Sequence, residues 1–116
     1  MADLTQCTAI ELLGLYRSGA ASPVEATQAV LQRIARLNPL LNAFCLIDEA
    51  AAMASARQSE ARWQAHRRSG AGVLSLDGVP MSIKDLILTQ GWPTLRGSKT
   101  VNPDQPWEAD APVTAR

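Results

Sequence analysis

Long hydrophobic runs are absent from this sequence: no stretch approaches the roughly 20 apolar residues that a membrane-spanning helix needs. Charge of one sign is absent too. Eleven basic residues balance eleven acidic ones for a net charge of zero. That balance removes the electrostatic footprint expected of a nucleic-acid binder or a membrane-surface protein. Aromatics are 4% of the chain, with one Phe, one Tyr and three Trp, two of them late at Trp92 and Trp107. The core must therefore come mostly from Leu, Val, Ile and Ala. Two cysteines, Cys7 and Cys45, share no C-x-x-C spacing and no Cys/His cluster, so neither zinc nor a redox dithiol is indicated. They read as reduced, buried thiols of a cytosolic protein. No basic-then-apolar leader follows Met1, and the expected location is the cytoplasm. Gly-rich phosphate loops of either common spacing are missing, so no cofactor is expected.

What is present is an apolar share of 47% over 116 residues, enough for one modest domain or a piece of a larger one. Helices are expected at 8–18, 23–37 and 49–68. Thr8-Ala9-Ile10-Glu11 and Ser22-Pro23-Val24-Glu25 are capping boxes, the second with proline where its missing N–H costs nothing. Val30, Leu31, Ile34 and Leu37 recur at helical spacing until Asn38-Pro39, which predicts a stop. Asn42–Ile47 reads as a short strand or extended segment. Asp48 then caps an Ala-rich stretch whose apolar stripe, Met53, Ala56 and Trp63, is weak. Beyond Ser69-Gly70-Ala71-Gly72, the turn Leu76–Pro80 feeds a predicted strand at 79–84. Alternation there puts Val79, Met81 and Ile83 on one face and Pro80, Ser82 and Lys84 on the other. Asp110-Ala111-Pro112-Val113 resembles a helix start with Asp110 as N-cap. The chain ends barely a turn later, and the sequence reads as cut.

Few residues could carry chemistry. His66, the lone histidine, sits beside Arg67 and Arg68 and has no partner suited to a base or a metal, and the whole Arg62–Arg68 stretch reads as a solvated helix end. Asp77, Asp85 and Asp110 read as turn or cap residues. Trp92 and Trp107 could line a pocket but more simply pack under loops. Ser82 shares a strand face with Lys84, yet residues i and i+2 of a strand stand roughly 6.5–7 Å apart, too far for a direct hydrogen bond between short stems. Lys84, judged by position alone, is a strand-end lysine reaching for solvent.

A wider pattern reverses that reading of Lys84. Leu76-Asp77-Gly78-Val79-Pro80-Met81-Ser82-Ile83-Lys84-Asp85 is similar to the string that carries the catalytic lysine of amidase-signature hydrolases. Asn38-Pro39-Leu40-Leu41-Asn42-Ala43-Phe44 resembles that family's link after its second helix. Gly91-Trp92-Pro93-Thr94-Leu95-Arg96-Gly97-Ser98 and Asp110-Ala111-Pro112-Val113 resemble two later segments, in order and at family-like spacing. The resemblance implies an α/β fold, with a mixed sheet flanked by helices, of which residues 1–116 would be the N-terminal portion. It implies a Ser–Ser–Lys hydrolase of carboxylic amides in which Lys84 is the base and the middle serine lies on a cis peptide bond. A base must be neutral, and an ordinary lysine with a pKa of about 10.4 is neutral less than about 0.1% of the time at pH 7. The role therefore implies burial around Lys84.

The departure from the family pattern lies in the serines. The eight serines include no Ser-Ser pair and no Gly-Gly-Ser. The nucleophilic and bridging serines are thus expected outside this chain, and these 116 residues are expected to be inactive alone. Expected partners are a small-molecule amide and the remainder of the amidase chain, with room for a homodimer; neither nucleic acid, membrane nor metal is expected. Within the family, the alternative is the A subunit of an aminoacyl-tRNA amidotransferase, where residues after Lys-Asp tend toward Asn-Ile rather than Leu86-Ile87. Outside it, the alternative is a small non-catalytic helical interaction module.

Overall fold

The computed structural model describes residues 3–116, and their architecture is helical. Among the described residues a single 3₁₀ turn, Leu4–Gln6, precedes α1 (Ala9–Ser18), α2 (Pro23–Leu41), α3 (Glu49–Ser69) and the short α4 (Pro112–Ala115). The chain divides into two compact units, one ending at Pro80 and one spanning Met81–Arg116.

Capping chemistry sets where the helices of the first unit begin. Thr8 Oγ1 accepts from the Glu11 N–H at 3.3 Å while Glu11 Oε2 accepts from the Thr8 N–H at 2.7 Å. Ser22 and Glu25 repeat the exchange at 3.2 and 2.8 Å. Each pair satisfies two N–H groups that a helix start would otherwise leave without partners. Asp48 caps α3 through the Ala51 N–H at 3.0 Å.

The end of α2 departs from the sequence expectation. Pro39 cannot donate a main-chain hydrogen bond, yet α2 passes through it to Leu41. Asn38 supplies the reason. Its carbonyl accepts from the Asn42 N–H at 2.7 Å. Its Oδ1 accepts from the N–H groups of Ala43 and Phe44, both at 2.9 Å, and its Nδ2 donates to the Phe44 carbonyl at 3.2 Å. Asn42 takes the left-handed conformation, φ 49°, which Asn tolerates better than most residues. The Asn-Pro-x-x-Asn-Ala-Phe string is thus a helix exit, held by one amide side chain.

The core of the first unit is Leu12, Tyr16, Ala26 and Trp63, with Leu4, Cys7, Leu13, Val73 and Val79 packed against it. The Tyr16 and Trp63 rings meet at 6.0 Å and 58°. Three helices converge here on the turn at Asp77-Gly78. Trp63 Nε1 donates to the Asp77 carbonyl at 2.9 Å, and the Tyr16 hydroxyl donates to the Gly78 carbonyl at 3.1 Å. Arg62 grips the Asp77 carboxylate with two hydrogen bonds, Nε to Oδ2 at 2.6 Å and Nη2 to Oδ1 at 2.7 Å. The Asp77 side chain is 1% exposed, and the Arg62 hydrogen bonds hold its carboxyl below the ordinary range against the opposing effect of burial. Arg67 Nη1 donates to the Tyr16 carbonyl at 2.6 Å. So Arg62 and Arg67, expected to be solvated, are both engaged, while His66 is half-buried against the Trp63 ring and meets the Ala71 carbonyl through Nδ1 at 2.7 Å. Of the two free thiols, Cys45 is exposed rather than buried.

The mixed sheet is not found. Among the described residues no strand forms, and the β-type pairing is one isolated bridge, Thr89 to Trp92. Residues 79–84 belong to no ladder. Alternation of apolar and polar residues reports which face a side chain would take, but a strand also needs a neighbour to accept its main-chain hydrogen bonds. No described segment supplies one, and Met81 and Ile83 are 73% and 41% exposed. The Asn42–Ile47 segment likewise runs outside any ladder.

Two outcomes follow from the Asp77-Gly78 turn. Gly78 has φ +82°, and a Cβ there would lie 2.6 Å from Pro23 Cγ and 2.8 Å from Pro23 Cβ. Gly78→Ala should therefore destabilise the protein by about 2–4 kcal/mol in urea melts, combining left-handed strain with overpacking; a loss below about 1 kcal/mol would contradict this packing. The Tyr16 phenol is pushed up to about 12, first by burial and then by the charge of Cys7. Its stabilising contribution is complete below the ordinary value of 10.0 and is lost as pH rises through about 12. Stability should fall across that window, and Tyr16→Phe should flatten the fall; an undiminished fall in the variant would rule Tyr16 out as its source.

Candidate active site around Lys84

The string that carries Lys84 is divided between the two units: Leu76–Pro80 lies in the first, Met81–Asp85 in the second. Within the second unit the Lys84 carbonyl accepts from the Leu86 N–H at 2.7 Å and the Ile87 N–H at 3.0 Å. The chain thus reverses over Lys84–Ile87, with lysine at the first turn position. The Lys84 side chain is exposed, and its ammonium makes no hydrogen bond or ion pair with a described residue. The burial expected around Lys84 is therefore not supplied by its flanking apolar residues, because Met81, Ile83 and Leu86 are themselves exposed.

Asp85 ties this turn to the segment ten residues on. Its Oδ1 accepts from the Leu95 N–H at 2.8 Å and its Oδ2 from the Gly97 N–H at 3.1 Å. The two donors flank Arg96, which has φ 55°, and Gly97 follows at φ 65°. A left-handed conformation costs a non-glycine residue about 1–2 kcal/mol. The charged acceptor offsets that cost, since hydrogen bonds to ionised groups contribute about 1.5–3 kcal/mol. Thr94, just before, is buried.

A second carboxylate makes a similar tie. Asp110 does not cap the last helix as its position predicts: Ala111 holds the cap, and Asp110 Oδ1 accepts instead from the Gln90 N–H at 2.7 Å. The Leu88 carbonyl accepts from the Ala111 N–H and the Thr114 hydroxyl, each at 2.9 Å. The Gly91 N–H donates to the Trp107 carbonyl at 2.8 Å, and Trp107 Nε1 to the Pro103 carbonyl at 3.0 Å. Asp85 thus binds the segment at 84–85 to that at 91–98, and residues 110–111 are bound to Leu88 and Gln90, which lie between those two. Asp85 and Asp110 read from sequence as turn or cap residues; the segments they join lie 10 and 20 residues away, beyond any helical or strand period.

Chemically, the arrangement presents one primary amine on a pinned turn. Ser82 is exposed, and Ser98 is bonded to Thr100 at 2.7 Å. No described hydroxyl is paired with Lys84, so these residues hold a candidate base without its nucleophile. Among the described residues no group of three or more His, Cys, Asp or Glu could hold a metal ion, and no helix is long and apolar enough to cross a membrane. An open cavity of about 230 Å³ in the first unit is lined by Asp3, Thr5, Ala29, Gln32, Arg33 and Arg36 and does not include Lys84.

The family model described as Amidase matches residues 25–116. The glutamyl-tRNA(Gln) amidotransferase A chain of Myxococcus xanthus is 46% identical over 97 residues, covering 84% of this chain and 19% of the relative. Its counterpart in Salinispora tropica is 41% identical over 99 residues, 85% of this chain and 19% of the relative. That of Roseiflexus castenholzii is 38% identical over all 116 residues and 22% of the relative. The chain thus spans about a fifth of the length of these curated relatives. No solved structure matches it.

Proposed function

Because the chain belongs to the Amidase family, we propose that the whole protein hydrolyses the C–N bond of a carboxylic amide with Lys84 as its base. Residues 1–116 are then the N-terminal portion of one amidase domain, working in the cytoplasm with the remainder of that domain. The observation that carries this reading is the string Gly78-Val79-Pro80-Met81-Ser82-Ile83-Lys84-Asp85 inside the matched stretch. The pinned turn supports it, because a proton acceptor must be held at a fixed position to act.

In this mechanism the neutral Lys84 amine accepts a proton, relayed through a bridging serine, from a nucleophilic serine. The serine oxygen bonds to the amide carbon, the C–N bond breaks, and the proton leaves with the departing nitrogen. Water then releases the acid from the acyl-serine. Both serines, and the surroundings that keep Lys84 neutral, come from residues outside this chain.

A second reading is favoured by the 46% identity to the Myxococcus xanthus protein: the whole protein is the A subunit of a glutamyl-tRNA(Gln) amidotransferase. The amide nitrogen would then pass to glutamyl-tRNA(Gln) within an assembly of several chains. Leu86 departs from the residue expected after Lys-Asp in that group. Release of ammonia from small amides by the purified protein alone supports the first reading. Amidation of glutamyl-tRNA(Gln) that requires added partner chains supports the second.

Both readings use Lys84 as the base. Lys84→Ala should lower kcat by about 10²–10⁴-fold with little change in melting temperature, the range of a lost general base. Lys84→Arg should be as damaging, because guanidinium stays protonated; near-native turnover in Lys84→Arg would reduce Lys84 to a positive charge and end the assignment. The isolated 116-residue chain should hydrolyse no amide, and turnover by it that Lys84→Ala abolishes would show that the outside serines are not needed.

A further inference from the structure

We propose that Asp85 is a positioning residue for Lys84, setting the amine's place through the main chain rather than through its own charge. The inference rests on the reading of Lys84 as the base. Lys84 is held from both sides of its peptide unit. On one side its carbonyl takes the Leu86 and Ile87 N–H groups at 2.7 and 3.0 Å. On the other, the next residue's carboxylate is fastened to a separate loop, with Oδ1 on the Leu95 N–H at 2.8 Å and Oδ2 on the Gly97 N–H at 3.1 Å. The loop adopts consecutive left-handed residues, Arg96 at φ 55° and Gly97 at φ 65°, and this shape brings its two N–H groups onto one carboxylate.

Each Asp85 oxygen is engaged by a main-chain donor, and Lys84 makes no ion pair with it. Asp85 therefore acts through the backbone at 84–87, not by salt bridge or proton transfer. An amide in its place could accept only one of the two N–H groups and would turn its own NH₂ toward the other. A glutamate keeps two acceptor oxygens, one methylene further out.

The test is made on the full-length protein with a small amide, comparing Asp85→Asn, Asp85→Ala and Asp85→Glu with Lys84→Ala. Expected for Asp85→Asn and Asp85→Ala is a 10- to 100-fold fall in kcat per folded molecule. KM should stay within about twofold of the parent value, and the acid limb of the kcat–pH profile should move. Asp85→Glu should recover part of the loss. Lys84→Ala inactive with Asp85→Asn and Asp85→Ala near-native would overturn the positioning role and leave the base reading intact. Full turnover in Lys84→Ala would overturn the base reading itself. Failure of both Asp85→Asn and Asp85→Ala to fold would make Asp85 a stability residue and likewise overturn the proposal.

Discussion

The turn at Asp77-Gly78 meets three helices within a few ångströms, and it can do so only because Gly78 has no side chain. Pro23 at the start of α2 occupies the space a Cβ would need, and Ser59 on α3 stands 3.2 Å from the same point. With the backbone brought that close, Tyr16 and Trp63 reach two successive carbonyls from α1 and α3. Those two rings are also the largest members of the core. The hydrophobic packing and the buried polar contacts of the first unit are therefore one arrangement. A buried carbonyl left without a donor costs about 1–3 kcal/mol, so displacing either ring would remove apolar packing and leave such a group at once.

The second unit is built on a different basis. Thr94 is the one buried residue among residues 81–116, and no apolar side chain there is buried. Order comes from hydrogen bonds that Asp85, Asp110 and the Leu88 carbonyl accept from distant parts of the chain. Segments with few buried apolar contacts lie at the low end of local stability. The candidate base thus sits in the part of the chain whose own packing contributes least.

Sequence reasoning reached what is local. The two capping boxes name their own partners three residues away, and the structure places α1 and α2 one residue beyond each cap. It failed where a partner is remote or where periodicity was asked for more than it contains. Pro39 signalled a stop, but the Asn38 amide holds one more turn and the exit. Alternation over residues 79–84 was consistent with a strand but could not create a neighbour for it. Arg62 lay in a run of basic residues that looked solvated, because nothing in its spacing points to Asp77, 15 residues ahead. The four motif segments were legible as a resemblance; that Asp85 joins two of them was not.

The hydrogen bond from Tyr16 to Gly78 spans 62 positions of the chain. Proteins are made from the N-terminus at about 5–20 residues per second, so roughly 3–12 s separate the making of the donor from that of its acceptor. Throughout that interval α1, capped at both ends, can already be wound, while its one tyrosine has no native place to put its hydroxyl. The four core side chains are all made by Trp63, but the two carbonyls that receive the Tyr16 and Trp63 donors come only with the turn before Pro80.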